Sequence, residues 1–133
     1  MSSNAKIDLL KTVPLFAECS KHELEQIARL VDQVTFPAGK VAIHEGEPLG
    51  LECIVVIDGR LEVSRGGEVI AELGPGDIAG EMSLLELVPR SASVTAATDV
   101  EALVMDPRSF NSLMDDVPRV AEAIAEVVRK RHA

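Results

Sequence analysis

Turn residues interrupt the middle of this 133-residue chain at short intervals, and their spacing constrains the fold more than any other feature. Val- and Ile-rich runs alternate there with five turn signals, namely Pro37-Ala38-Gly39, Glu45-Gly46-Glu47-Pro48, Asp58-Gly59, Gly66-Gly67 and Gly74-Pro75-Gly76-Asp77. Short strands bounded by such turns are typical of antiparallel sandwiches and barrels. The section from Val34 to Met105 is therefore predicted to form a compact antiparallel sandwich or barrel.

Two of these turns have the signature of a β-hairpin. Asp58-Gly59 stands between CIVVI and RLEV, and Gly66-Gly67 follows the second of these runs. Two-residue glycine turns between apolar runs favour hairpins because glycine adopts the positive φ that such turns need. Residues 91–97 and 100–106 are predicted to form the last pair of strands.

Helical patterns flank the strand-rich section on both sides. The segment Ser20-Lys21-His22-Glu23 has the form of a capping box, and apolar residues then recur at helical spacing, which predicts a helix over 21–32. A shorter helix around residues 7–10 should end before Val13-Pro14. The N-terminal helices are thus expected within residues 5–32.

Two further helices are predicted after the strand-rich section, within residues 107–131. Asp106-Pro107 places an N-cap residue before a proline at the first helical position, which predicts a helix over 107–115. A second helix should begin near Val117-Pro118, with an apolar stripe formed by Val117, Val120, Ala121, Ile124, Val127 and Val128. The predicted fold class is α+β, mainly β, with residues 1–133 forming a single domain.

Composition and charge restrict the partners of the chain. The net charge is −9, with 13 basic against 22 acidic residues, so direct DNA binding is not expected. The basic cluster at residues 129–132 is typical of a helix C-terminus. Apolar runs are too short to span a membrane, and a signal peptide is lacking, which favours the cytoplasm and no membrane association.

Cysteine, histidine and aromatic residues are all sparse in this chain. Cys19 and Cys53 are far apart in sequence, and the three histidines are scattered, so no metal site is expected. The chain has three Phe and neither Trp nor Tyr, so its core is predicted to be aliphatic.

The segment GEMSLLELVPRSASV, residues 80–94, has the composition of an anion site. Gly80 allows the backbone to approach a bound group, and the amides around Met82 and Ser83 would begin a short helix with unpaired N–H groups. Arg90 supplies a planar fork suited to a phosphate. Glu81 can accept a hydrogen bond from a sugar hydroxyl, so the pair fits a ligand with one phosphate and one free hydroxyl. A surface ion pair between Glu81 and Arg90 is the alternative.

The pattern G-E-x-x-L-L, a gap, and P-R-S-A-S-V closely resembles the phosphate-binding cassette of cyclic nucleotide-binding domains. Gly39, Gly46 and Gly59 also fall where that family has turn glycines in its β-roll, and the flanking helices match. The resemblance thus implies that residues 33–106 form an antiparallel β-roll or jelly-roll barrel. The resemblance implies a binding set of seven residues, namely Gly80, Glu81, Met82, Ser83, Arg90, Ser91 and Ala92.

The resemblance also implies a role for each of these residues. Glu81 would accept a hydrogen bond from the ribose 2′-OH, and Arg90 would pair with the cyclic phosphate. The amides of Met82, Ser83 and Ala92 would donate to the phosphate.

Gly80 would keep the backbone near the sugar, and Ser91 would lie near the purine. The chain departs from the family at two positions: Ala79 stands where a large apolar residue is usual, and Ile54 where an aromatic residue is common.

The expected function is sensing of a cyclic nucleotide, cAMP or possibly cGMP, without a cofactor and without catalysis. The C-terminal helices would respond to the ligand and signal to an effector protein, or self-associate through the last helix. The wide apolar stripe of that helix is the expected contact surface. The alternatives are a ligand-free scaffold that kept the fold, a regulatory domain excised from a larger regulator, and a metal-dependent cupin enzyme, for which the scattered histidines give no support. The opening Met1 favours a complete small protein.

Overall fold

The computed structural model describes residues 3–46, 53–80 and 92–131. The chain divides into two compact units. One unit is helical and comprises the described parts of residues 1–31 and 108–133, and the other comprises the described parts of residues 32–107, which contain the strands.

The helical unit contains α1 (Ser3–Lys11), a 3-10 helix (Pro14–Phe16), α2 (Lys21–Ala28), α3 (Pro107–Asp116) and α4 (Pro118–Arg131). The predicted starts at Pro107 and Pro118 are confirmed. The 3-10 helix was not predicted; Pro14 occupies its first position, and both Leu15 and Phe16 are buried.

The capping box predicted at the start of α2 is confirmed. The backbone N–H of Ser20 donates to Glu23 Oε1 at 2.8 Å, and the backbone N–H of Glu23 donates to Ser20 Oγ at 3.1 Å. Two amides of the first helical turn, which lack partners within the helix, are thereby satisfied.

Helix α2 ends at Ala28, four residues before the predicted end at residue 32. The N–H groups of Arg29 and Leu30 bond to the carbonyls of Gln26 and Ile27, three residues back, which tightens and closes the last turn. Val31 lies outside the helix and is nevertheless 2% exposed. Val31 is apolar because it is buried after the helix, and its spacing from the apolar residues of α2 coincides with a helical period.

The apolar stripe of α4, which was expected to form a contact surface for a partner, is instead buried within the chain along its first half. Val117, Val120 and Ile124 are at most 1% exposed, and Ala121 and Val127 are half-buried. The exposed side chains of α4 are mostly charged. Along the part of the chain that is described, no helix is both long and apolar enough to cross a membrane.

The strand unit consists of two antiparallel four-stranded sheets. Its strands are β1 (Asp32–Phe36), β2 (Val41–Ile43), β3 (Cys53–Asp58), β4 (Leu61–Arg65), β5 (Glu68–Leu73), β6 (Ile78–Ala79), β7 (Ser93–Ala96) and β8 (Val100–Met105). One sheet has the order β1-β8-β3-β6, and the other has the order β2-β7-β4-β5. The predicted fold class, an α+β protein built on an antiparallel β-roll, is confirmed.

Connections between the sheets correct two predictions of strand pairing. The Gly66-Gly67 hairpin is confirmed, since β4 pairs with β5. The Asp58-Gly59 hairpin is wrong, because β3 and β4 lie in different sheets. Strands β7 and β8 match the predicted segments 91–97 and 100–106, yet they also belong to different sheets and do not pair with each other.

The physical reason is a close contact between two connections. The backbone N–H of Arg60 donates to Thr98 Oγ1 at 3.1 Å, and Arg60 O accepts from the N–H of Ala97 at 2.9 Å. Gly59 has a φ of +94°, and a Cβ there would lie 3.0 Å from Val100 Cα and closer still to the carbonyl oxygen of Asp99. The turn therefore carries the chain from one sheet to the other.

An aliphatic layer fills the space between the sheets, as the composition predicts, whereas the helical unit also buries the aromatic rings of Phe16 and Phe110. The buried members of the layer come from both sheets and are Ile43, Ile54, Val56, Leu61, Ala79, Val94, Ala96, Val100, Ala102 and Val104. Burial of each Val, Leu or Ile side chain contributes about 1.5–3 kcal/mol, so this layer is a major source of stability in the strand unit.

Substitution of Gly59 by alanine tests the contact between the connections. Gly59→Ala combines a strained positive φ with the overlap against Asp99, and we expect a loss of at least about 2 kcal/mol in the free energy of unfolding. Gly39→Ala is the matched control, because Gly39 has a φ of +91° and open space around the new methyl group. Equal losses for the two variants in urea denaturation would contradict the close packing.

The capping box also predicts a dependence of stability on pH. The Ser20 amide lowers the pKa of Glu23 below its ordinary value of 4.5, with a further lowering by Ser20 Oγ and Arg119, against a smaller opposing effect of burial. A depressed pKa in the folded state adds stability above pH 4.5, and this is lost as pH falls through the folded pKa.

Glu23→Gln keeps an acceptor but no titrating group, so its unfolding free energy should fall less than that of the parent between about pH 5 and pH 3. Glu25→Gln, a carboxylate change on the same helix outside the box, is the control and should behave as the parent does. A Glu23→Gln profile that parallels the parent's would contradict the assignment.

Candidate functional site

The segment predicted to bind a ligand begins at the end of strand β6. This strand pairs with β3 in the register Ile54↔Ala79 and Val55↔Ile78. Gly80 follows directly with a φ of +87°, a left-handed conformation that glycine adopts without strain. Glycine is therefore the residue that suits this exit from the sheet, while its closeness to a bound group stays a prediction.

A network of backbone bonds fixes the turn before β6. Gly76 N–H donates to Val56 O at 2.8 Å, and Val56 N–H donates to Asp77 O at 2.9 Å. The side chain of Asp77 accepts from Gly74 N–H at 2.8 Å and so closes the turn on itself. These bonds hold the strand that leads into Gly80 against the centre of its sheet.

The segment ends at the start of strand β7, in the other sheet. Ala92 is half-buried, and Ser93 and Val94 then pair with Ser64 and Val63 of β4. Val94 belongs to the aliphatic layer between the sheets. The chain thus leaves one sheet at Gly80 and enters the other at Ser93.

Two of the seven predicted binding residues, Gly80 and Ala92, are among the described residues, and they lie at the two ends of the segment. The other five lie outside the described residues and remain predictions; they are Glu81, Met82, Ser83, Arg90 and Ser91.

The two departures from the family pattern fall on a single contact. Ile54 and Ala79 are direct cross-strand partners in β3 and β6, and both are buried, at 1% and 4% exposure. Both belong to the layer between the sheets. The contact beside Gly80 is therefore formed by an isoleucine and an alanine methyl group, where the family commonly has an aromatic residue and a large apolar residue.

Glu45 is a residue of this region that the sequence reasoning missed. Its backbone N–H donates to Ser93 Oγ at 2.9 Å, and its carboxylate Oε1 accepts from Gly66 N–H at 2.9 Å. These partners are 48 and 21 residues away in sequence, so no local pattern signals the contacts. Gly66 was identified only as a hairpin glycine.

Metal-binding side chains do not converge anywhere in the described ranges. No group of three or more His, Cys, Asp or Glu side chains is arranged there to hold a metal ion. Cys19 and Cys53 do not form a disulfide.

Comparison with known proteins gives the family of the chain. The family model for the cyclic nucleotide-binding domain matches residues 33–117. A cyclic nucleotide-gated potassium channel of Mesorhizobium japonicum is 37% identical over 123 residues, which are 92% of this chain and 34% of the channel. A CRP-like cAMP-activated global transcriptional regulator of Mycobacterium tuberculosis is 29% identical over 129 residues, covering 93% of this chain and 57% of the regulator.

The fold comparison agrees with the sequence comparison. The crystal structure of the Thermus thermophilus catabolite activator protein superposes with a TM-score of 0.78 at 32% identity, over 89% of this chain and 57% of that one. The chain spans from about a third to somewhat more than half of the length of these relatives. Since the family model covers well over half of the sequence and the β-roll is present, the chain belongs to the cyclic nucleotide-binding domain family.

Proposed function

We propose that this protein binds a cyclic nucleotide, preferentially cAMP, at residues 80–92 and acts as a regulatory module. The main support for this proposal is the way in which the two ends of this segment are held by the two sheets. The segment starts at a left-handed Gly80 on one sheet, ends at Ala92 and Ser93 on the other, and contains Glu81 and Arg90 in the family's spacing.

Each polar group in the segment meets a different part of the ligand in this proposal. The guanidinium of Arg90 pairs with the cyclic phosphate, and the amides of Met82, Ser83 and Ala92 donate to the same oxygens. The carboxylate of Glu81 accepts from the ribose 2′-OH, for which an ionised carboxylate is a suitable acceptor. One arginine and a few amides suit a single negative charge.

Ser91 is the residue proposed to influence the choice between adenine and guanine. Ser91 follows Arg90 and is proposed to lie near the purine. The transcriptional regulator from Mycobacterium tuberculosis, which is similar over 93% of this chain, is described as cAMP-activated, and this supports cAMP over cGMP.

The output of binding is proposed to pass through the C-terminal helices α3 and α4. A ligand shifts a conformational equilibrium only by the difference in its affinity for the two states, so these helices must differ between them. The charged, exposed side of α4 is the proposed contact for an effector protein or a second copy of the chain.

Catalysis is not part of the proposed function. Burial, followed by the nearby Glu23, raises the pKa of the Cys19 thiol, although Arg119 acts in the opposite direction. A raised pKa disfavours the thiolate that a nucleophilic cysteine needs. The cytoplasm is the proposed compartment.

Thermal unfolding with three nucleotides tests the proposed function. A ligand present at 100 times its dissociation constant adds about 2.7 kcal/mol to the folded state, so cAMP should raise the midpoint by several degrees. We expect a smaller rise with cGMP. The control, 5′-AMP, has the same base and sugar with an open phosphate and should have little effect.

Two results would contradict the proposal in different ways. No shift with either cyclic nucleotide would favour a ligand-free scaffold that has kept the β-roll. An equal shift with 5′-AMP would mean that the site recognises adenosine without reading the cyclic phosphate.

A further inference from the structure

A three-way junction lies beside the end of the segment proposed to bind the ligand. Glu45, just after β2, contacts Ser93 at the start of β7 through its backbone, and Gly66 in the β4–β5 turn through its carboxylate. Ser93 also pairs with Ser64 of β4. The end of the segment is thus joined to its sheet on one side and to Glu45 on the other.

The geometry of the junction depends on the two turns that meet there. Gly66 has a φ of +60° and Gly46 has a φ of +84°, so both turns need glycine in the left-handed region. Glu45 directly precedes Gly46, and its side chain is fixed by the amide of Gly66 instead of by a neighbour in sequence. Both bonds are 2.9 Å long, which is the usual length for N–H···O contacts.

Both bonds of Glu45 are exposed, and this argues against a main role in overall stability. Exposed hydrogen bonds exchange readily with water and add little to the free energy of folding. Their effect is instead local, because they restrict where Ser93, and Ala92 before it, can lie. Preorganisation of a binding segment raises affinity since less ordering is needed when the ligand arrives.

We propose that Glu45 is a positioning residue for the cyclic nucleotide, acting through its bonds to Ser93 and Gly66. This inference rests on the proposed function. Glu45 does not touch the ligand. It holds Ser93, and with it Ala92, at the end of the binding segment.

The sign of the effect separates this role from simple electrostatics. Glu45 is an acidic residue near a site for an anionic ligand, and removal of a negative charge by itself favours anion binding. A positioning role predicts weaker binding when Glu45 is removed. The binding-competent conformation of the segment is then less populated, and this raises the apparent dissociation constant.

Calorimetric titration of cAMP into four proteins tests the proposal. We expect Glu45→Ala to weaken binding about three- to tenfold, the range that one hydrogen bond spans. Glu45→Gln keeps an oxygen acceptor for the Gly66 amide and should stay within about twofold of the wild type. Glu72→Ala removes an exposed carboxylate whose contact is Arg60 and is the matched charge control, also expected within about twofold.

Ser93 provides a second, independent test of the junction. Ser93→Ala removes the acceptor for the Glu45 N–H and should weaken binding, while Ser93→Thr keeps a hydroxyl and should restore it. In the double variant Glu45→Ala, Ser93→Ala, the loss should be smaller than the product of the single losses, because both bonds belong to one junction.

The outcomes distinguish this inference from the proposed function. If the wild type binds cAMP and Glu45→Ala binds it equally well, the positioning role is wrong while the proposed function stands. A lower unfolding midpoint for Glu45→Ala with unchanged affinity would show a purely structural role and would also overturn it. If the wild type binds neither cAMP nor cGMP, both the proposed function and this inference fail.

Discussion

The aliphatic layer between the two sheets is the interaction on which the rest of the structure depends. Among the eight described strands, only β4 and β5 are both consecutive in sequence and hydrogen-bonded to each other. Every other connection between described strands leads from one sheet to the other. Local hairpins therefore cannot hold the strand unit together, and the apolar side chains that both sheets bury against each other must do so. Ladders between strands so distant in sequence also predict slow folding.

This arrangement determines where a ligand site can form. The segment between Gly80 and Ser93 crosses from one sheet to the other, and each of its ends is held by a different sheet. Ala79 before it and Val94 after it both belong to the shared layer, so the packing of that layer sets the distance between the two ends. Glu45 adds a polar constraint at one end only. A change in the layer, such as a larger residue at Ala79, would reach the site through this spacing.

Local signals in the sequence predicted the elements better than their partners. The turns at Gly66-Gly67, the capping box at Ser20 and the prolines at 107 and 118 all mark element ends correctly, because each acts on neighbouring residues. The Asp58-Gly59 turn gave a wrong prediction for the same reason. Its glycine is needed because the backbone packs closely against Asp99, 40 residues away, and no local pattern contains that contact. The junction at Glu45 is likewise formed by distant residues. The binding residues were identified by their resemblance to a family. Of these, Gly80 and Ala92 are among the described residues, directly after β6 and directly before β7.

Glu81 is proposed to recognise the sugar and Arg90 the phosphate, and a comparison of two ligands on three proteins separates these two roles. Calorimetric titration would compare cAMP with 2′-deoxy-cAMP on the wild type, Glu81→Ala and Arg90→Ala. We expect the wild type to bind cAMP at least about tenfold more tightly than 2′-deoxy-cAMP, and Glu81→Ala to bind the two ligands equally. Arg90→Ala should bind both ligands at least about tenfold more weakly than the wild type while still preferring cAMP. A preference for cAMP that survives in Glu81→Ala, or an affinity that is unchanged in Arg90→Ala, would contradict the account.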